Sequence, residues 1–253
     1  MTSTKREIVR SHEIEADEKR FYQDNGYLLL EDIISIERCD QLIAEAERVA
    51  AGEYRSYLTM HQESSLFLET LRDPILLSIL DSVQESRMIP IGSLFLFCKP
   101  GNANEKGSIW HQDNYAAKAP EGSYLVCAIA LDDADAENGS LIVFPGTHKL
   151  GDLPNRPKAN FSKDASGKVM QHPAGNETEV PEGFEPKQLT YSKGSVLLMH
   201  GHTLHGAPAN PHAERWRRKW YMHYIKDGHP FWPGWNARRN LIDRNDFETE
   251  IVV

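Results

Sequence analysis

The segment Trp110-His111-Gln112-Asp113-Asn114 sets an imidazole and a carboxylate two residues apart. On an extended strand, residues at that spacing project to one face, so His111 and Asp113 can reach one metal ion while Gln112 turns away. Two histidines and one carboxylate on one face of an octahedral iron leave the other positions open for a co-substrate and oxygen. The pair alone selects weakly, because a chain with 11 His and 37 Asp plus Glu contains His-x-acid triplets by chance. A third ligand has to come from elsewhere, and His200, His202 and His205 compete for the role. Spacing does not choose among them. If 196–199 is a strand, His200 and His202 share a face at its end, and His205 lies just beyond, ahead of Gly206.

These residues need a scaffold, and the second two thirds of the chain supplies short strand-like runs at 89–98, 109–117, 124–131, 141–144, 195–199 and 216–225. Turn-forming pairs punctuate them: Pro100-Gly101, Asn138-Gly139, Pro145-Gly146, Lys193-Gly194 and Asp227-Gly228. The first third reads as helical around one short strand, Gly26-Tyr27-Leu28-Leu29-Leu30, entered through Asn25-Gly26. Residues 35–51 carry Cys39, Leu42, Ile43 and Ala46 at helical spacing, with Ser35 as N-cap and Gly52 past the end. Residues 66–83 repeat the pattern across Asp73-Pro74. Short strands preceded by helices predict a mainly β fold with flanking α-helices, a jelly roll. A single domain is expected over 1–253, with a long polar insertion at about 151–191 read as a loop flanking the site.

Bulk properties narrow the function classes. A composition 40% hydrophobic and 26% charged is that of a globular protein rather than a disordered one. A net charge of −9 repels polyanions, so nucleic acid is excluded as the expected partner; the basic run Arg215 to Lys219 is interleaved with Trp216 and alternates as a strand does. No run approaches the roughly 18–20 apolar residues that span a bilayer, and 1–20 has no signal-like apolar core. A cytoplasmic location with no membrane partner is expected. Cys39, Cys98 and Cys127 are an odd number, two of them inside apolar runs, which suits buried thiols. Nothing in the sequence speaks to oligomeric state.

Five motifs follow one another in order: Lys99-Pro100 before the His-Gln-Asp, Ala130-Leu131-Asp132-Asp133, Glu137-Asn138-Gly139-Ser140-Leu141, Phe144-Pro145-Gly146-Thr147-His148-Lys149, and Leu204-His205-Gly206 with Asn210. Together they resemble the phytanoyl-CoA dioxygenase family of Fe(II)- and 2-oxoglutarate-dependent oxygenases, from Gly26 to about Ile225. The resemblance implies a double-stranded β-helix, in agreement with the jelly-roll reading. It also implies that His205, five residues before Asn210, completes the metal set with His111 and Asp113. His148 then belongs to the Pro-Gly turn, and His200 and His202 become neighbours of the site. Family members place an arginine about a dozen residues after the distal histidine, where a guanidinium grips the distal carboxylate of 2-oxoglutarate. Arg217 lies twelve past His205 and shares strand parity with Tyr221 and His223, with Arg218 as the fallback. Two departures stand out. Ala207 replaces a serine that helps the carboxylate contact in some relatives, and Ile129 replaces an aromatic beside the co-substrate in the mammalian ones, which implies a differently shaped pocket.

What the resemblance implies is a dioxygenase that uses Fe(II), 2-oxoglutarate and O2 to hydroxylate an unactivated C–H bond of a small-molecule metabolite, releasing succinate and CO2. Related halogenases lack the carboxylate ligand, so Asp113 argues for hydroxylation. The alternatives are a metal-dependent cupin that does not use 2-oxoglutarate, and a non-catalytic ligand-binding member. Asn114, Tyr115, Lys118 and the run Phe231-Trp232-Pro233-Gly234-Trp235 are candidates for the substrate side. Arg238 and Arg239 would suit an anionic substrate if they point inward.

Overall fold

Apolar residues recur at helical spacing in the first third and as strand runs after it, and the two patterns meet across one sheet. The computed structural model describes residues 9–54, 56–101, 108–163 and 169–244. Helices α1 (Ala16–Asn25), α2 (Ile36–Ala50), α3 (Met60–Glu63), α4 (Ser65–Leu71) and α5 (Pro74–Gln84) come early, with strands β1 (Tyr27–Leu30) and β2 (Tyr57–Leu58) among them. Then follow β3 (Met88–Leu96), β4 (Ser108–His111), α6 (Asn114–Ala117), β5 (Tyr124–Ala130), β6 (Ile142–Val143), β7 (Asn155–Lys163), β8 (Val169–Thr178), β9 (Lys187–Gln188), β10 (Val196–His200), β11 (His205–Ala207) and β12 (Lys219–Lys226). The strands form a six-stranded sheet ordered β1-β10-β5-β12-β3-β2, a four-stranded sheet ordered β4-β11-β6-β9, and the separate pair β7-β8. Neighbours are antiparallel throughout. This is the expected jelly roll with flanking helices.

The central strand β5 is buried at every position, so its alternation divides two cores. Leu125, Cys127 and Ile129 join Leu198, Trp220, Met222 and Tyr224 against Cys39 and Leu42 of α2, Phe67 of α4 and Leu76 of α5. Ala128 and Ala130 face the other way, with Leu197, toward Leu141 and Val143 beside the smaller sheet. Ile129 therefore packs on the helices, and a direct role for it in shaping a co-substrate pocket is corrected; Ala128 and Ala130 face the interior.

Other expectations are met or revised for local reasons. Ser35 caps α2 by accepting from the Arg38 N–H at 3.2 Å. The run 66–83 is two helices, because Pro74 cannot donate within a helix while Asp73 caps the second one through the Ile75 and Leu76 N–H groups. The strand expected over 109–117 stops at His111 and yields to α6. The strand expected over 216–225 begins at Lys219. Much of the stretch read as a 151–191 loop pairs instead as the β7-β8 hairpin, and the backbone pairing Asn155↔Thr178 closes it.

The sheet also explains the motifs. Asn138 donates to the Asp133 and Trp216 carbonyls and accepts from the Asp135 N–H, tying the turn after β5 to the approach to β12. Gly139 holds φ +74, and a Cβ there would collide with the Ala209 carbonyl oxygen. Asn210 donates to the Cys98 and Arg215 carbonyls. Among the described residues no helix is long and apolar enough to cross a membrane.

Candidate metal and co-substrate site

His111 is the last residue of β4 and His205 the first of β11, and antiparallel register sets them opposite one another. Their rings lie 4.3 Å apart between centroids. Asp113 completes the cluster: Oδ1 is 3.6 Å from His111 Nε2 and Oδ2 is 3.6 Å from His205 Nε2. One ligand atom from each of the three lies within 4.8 Å of the others, the only such grouping of His, Cys, Asp and Glu among the described residues. Asp113 arrives differently from the expectation. The chain leaves the strand after His111, and Asp113 has helical angles, φ −67 and ψ −31, so a turn rather than strand alternation swings its carboxylate in.

Local chemistry puts these groups in ligating form. Burial acts to raise the Asp113 carboxyl, but the charge of His205 and the hydrogen bond from His111 outweigh it and hold it well below the usual carboxylate range. Burial, helped by His111, pushes His205 down to about 4. The Thr203 carbonyl lies 2.9 Å from His205 Nδ1 and can only accept, so Nδ1 carries the hydrogen and Nε2 keeps its lone pair. Two imidazoles and a carboxylate, one of the three residues buried and two half-buried, are a donor set that fits a divalent iron.

Residues that flank the ligands hold the backbone. Gln112 turns away from the cluster: its amide donates to the His202 carbonyl at 2.6 Å and the Gly151 carbonyl at 2.9 Å, and its oxygen accepts from the Leu153 N–H. Asn114 is buried and bonds Ala119 in both directions, so it belongs to the fold rather than to a substrate surface. His202 Nε2 contacts Asp152 at 3.0 Å and Asn114 at 3.1 Å. The His200 ring lies between those of His202 and His148, tilted to both, and His148 Nε2 donates to the Gln23 carbonyl. These three histidines stand apart from the metal cluster.

The two candidate arginines separate clearly. Arg218 is engaged: Nε and Nη2 meet both oxygens of Asp132 at 2.9 and 2.8 Å, and Nη1 meets Glu47 at 2.9 Å. Arg217 is buried, donates from Nη2 to the Pro208 carbonyl, and has a buried Nε with no partner among the described residues. A buried guanidinium N–H left unsatisfied suits a carboxylate as acceptor. Beside it sits a residue that sequence reasoning missed. Lys219 shares the parity of Arg217, is buried with its ammonium 4.9 Å from the centre of the Tyr191 ring, and lines a cavity with Ala128, Ala130, Tyr191, Leu197 and Tyr221. Burial, then the charge of Arg217, pushes its pKa down to about 7. The signal is the two-residue spacing of Arg217 and Lys219 where the chain enters β12, which brings two basic side chains together.

Farther along β12, His223 meets Tyr124 of β5 through a short contact between Nδ1 and the hydroxyl. Tyr115 is exposed, Lys118 lies over the Trp232 ring, and the 231–235 segment anchors through the Trp232 N–H on the Ala117 carbonyl.

The sequence model of the phytanoyl-CoA dioxygenase family matches residues 22–218, well over half of the chain. The ectoine dioxygenase of Bordetella bronchiseptica is 26% identical over 223 residues, covering 78% of this chain and 71% of its own. In fold, the chain is similar to the non-haem alpha-ketoglutarate-dependent carbocyclase SnoK from nogalamycin biosynthesis, with TM-score 0.67, 17% identity and coverage of 88% of each chain. It is similar also to EctD from S. alaskensis with bound Fe, at TM-score 0.65 and 18% identity, covering 87% of this chain and 81% of that one.

Proposed function

The chain belongs to the phytanoyl-CoA dioxygenase family, and from that premise we propose that it is an Fe(II)- and 2-oxoglutarate-dependent dioxygenase that hydroxylates a C–H bond of a small-molecule metabolite. The observation that carries this reading is the convergence of His111, Asp113 and His205 beside a buried guanidinium with an unsatisfied N–H. In the proposal these three residues hold the iron, and Arg217, with Lys219 beside it, takes the distal carboxylate of 2-oxoglutarate. Bound there, the iron would activate O2, the oxidant, with two electrons from the decarboxylation of 2-oxoglutarate and two from the substrate C–H bond, so that one oxygen atom ends in succinate and the other in the hydroxylated product, with CO2 released.

The protein's own contribution is placement. The Thr203 carbonyl fixes which nitrogen His205 offers, and Gln112 anchors the turn that carries Asp113. The apolar interior around Ala128, Ala130 and Leu197 excludes water from the end of the site where the cations lie, which strengthens their hold on a dicarboxylate. The relatives' printed activities, such as that of ectoine dioxygenase, support a small-molecule substrate in place of a macromolecule. A cytoplasmic setting goes with that reading.

Iron-dependent, substrate-free decarboxylation of 2-oxoglutarate under reducing, aerobic conditions tests it. Wild type is expected to release succinate slowly and His111→Ala to lose this by about a hundredfold or more. Wild type without iron-dependent succinate release would remove 2-oxoglutarate from the proposal and favour a cupin that does not use it.

A further inference from the structure

Arg217 and Lys219 lie at the start of β12. Farther along that strand, β12 and β5 bring His223 and Tyr124 into contact, and His223 acts electrostatically on Asp113. Over them passes the chain that follows β12. It is pinned at one end by the Trp232 N–H on the Ala117 carbonyl, and at the other by the Asn240 and Ile242 N–H groups on the Ile91 and Pro90 carbonyls of β3. A strap held at both ends places its side chains reproducibly.

Arg239 is the residue this strap turns inward. Its stem crosses β3 at Gly92, where an added Cβ would come within 3.5 Å of the Arg239 Cγ. One nitrogen, Nη1, donates to the Ala116 carbonyl at 3.0 Å, which fixes the plane of the guanidinium. The group reaches the Tyr124 hydroxyl and acts on His223. Its Nε is buried without a hydrogen-bond partner among the described residues. A buried N–H left unpaired costs about 1–3 kcal/mol, more on a charged group, so its persistence suits a ligand that supplies the acceptor.

Resting on the reading of the site as an oxygenase, we propose that Arg239 recognises a carboxylate of the substrate, with the Tyr124 hydroxyl and the His223 imidazole lining the same subsite. The charge balance selects a monoanion. Among the described residues Arg239 is the one side-chain cation at this subsite: burial, then Arg239 itself, pushes His223 down to about 4, and Lys118 is turned onto the Trp232 ring. A guanidinium presents paired N–H groups that match a carboxylate, whereas a phosphate dianion would call for a second cation. The substrate class is therefore a small carboxylic acid whose acid group is held farther along β12 than the 2-oxoglutarate cations.

The test uses the full chain loaded with Zn(II) and saturating 2-oxoglutarate, which blocks the Arg217 side. Acetate, benzoate and cyclohexanecarboxylate are titrated calorimetrically beside their neutral amides. At least one acid is expected to bind about tenfold or more tighter than its amide in wild type and in Arg238→Ala, as a charge-assisted hydrogen bond allows. Arg239→Ala should lose that preference, and Arg239→Lys should restore part of it. No acid preferred by the wild type, or a preference that survives in Arg239→Ala, overturns the assignment. Succinate release by the wild type with Fe(II) separates the two readings: a wild type that consumes 2-oxoglutarate yet ignores the acid-amide difference defeats only the role of Arg239.

Discussion

Two arginines adjacent in sequence, just ahead of β12, turn to different partners. Arg218 is pinned by Asp132 and Glu47, and Arg217 enters the interior with Nε unsatisfied. Arg217→Ala should raise the 2-oxoglutarate concentration needed for half-maximal succinate release about ten- to a hundredfold, the worth of a charge-assisted contact. Arg218→Ala should leave that concentration near wild type and lower stability by about 1–3 kcal/mol in urea unfolding; the reverse ranking would exchange their roles. Lys219 adds a pH signature. Its pKa near 7 means that much of it is neutral at pH 8, and a bound carboxylate favours the charged form, so its pKa rises on binding. Binding of 2-oxoglutarate at pH 8 should therefore take up a proton, seen as a dependence of calorimetric heat on buffer ionisation enthalpy. Lys219→Met should abolish that uptake, and unchanged uptake in the variant would place the titrating group elsewhere.

Among the elements, the informative units are the turns that the family motifs encode. Gly139 and Gly52 both hold left-handed angles, φ +74 and +88, but a Cβ on Gly139 meets the Ala209 carbonyl while nothing lies within 4 Å at Gly52. Gly52→Ala should cost about 1 kcal/mol for the backbone angle alone. Gly139→Ala should cost about 2–4 kcal/mol, since the collision adds to the angle and the turn that Asn138 ties to β12 must shift. Denaturant unfolding of the two variants side by side measures the difference, and equal losses would show that the turn absorbs the added methyl.

At the scale of the molecule, the chain following β12 closes the fold on itself. Arg244 is buried and grips both oxygens of Asp81 in α5 at 3.0 and 2.9 Å while donating to the Met88 carbonyl of β3. This clamp and the backbone bonds at Asn240 and Ile242 hold the strap that carries Arg239. Arg244→Ala is expected to lower global stability by about 1–3 kcal/mol and to quicken proteolysis within the strap. Proteolysis at the wild-type rate would mean that the backbone bonds alone retain it.

The sequence by itself pointed to the jelly roll, its helices and the capped start of α2, because alternation and turn residues are local properties of the chain, and the order of the family motifs put forward His111, Asp113 and His205 as the candidate metal set. The choice of Arg217 ahead of Arg218 came from the family's spacing after the distal histidine together with parity along the expected strand. The tertiary structure alone decided the rest. A strand pattern cannot reveal that β4 ends at His111, since the turn that delivers Asp113 is held by Gln112 bonding to residues 151–153 and 202, far away in sequence. Nor can it tell that Ile129 faces helices, that Lys219 is buried beside Arg217, or that Arg239 turns inward over Tyr124 and His223. Those facts depend on which face of a buried strand meets which layer, and on where a strap beyond the last strand is pinned, and both are set by contacts between residues distant along the chain.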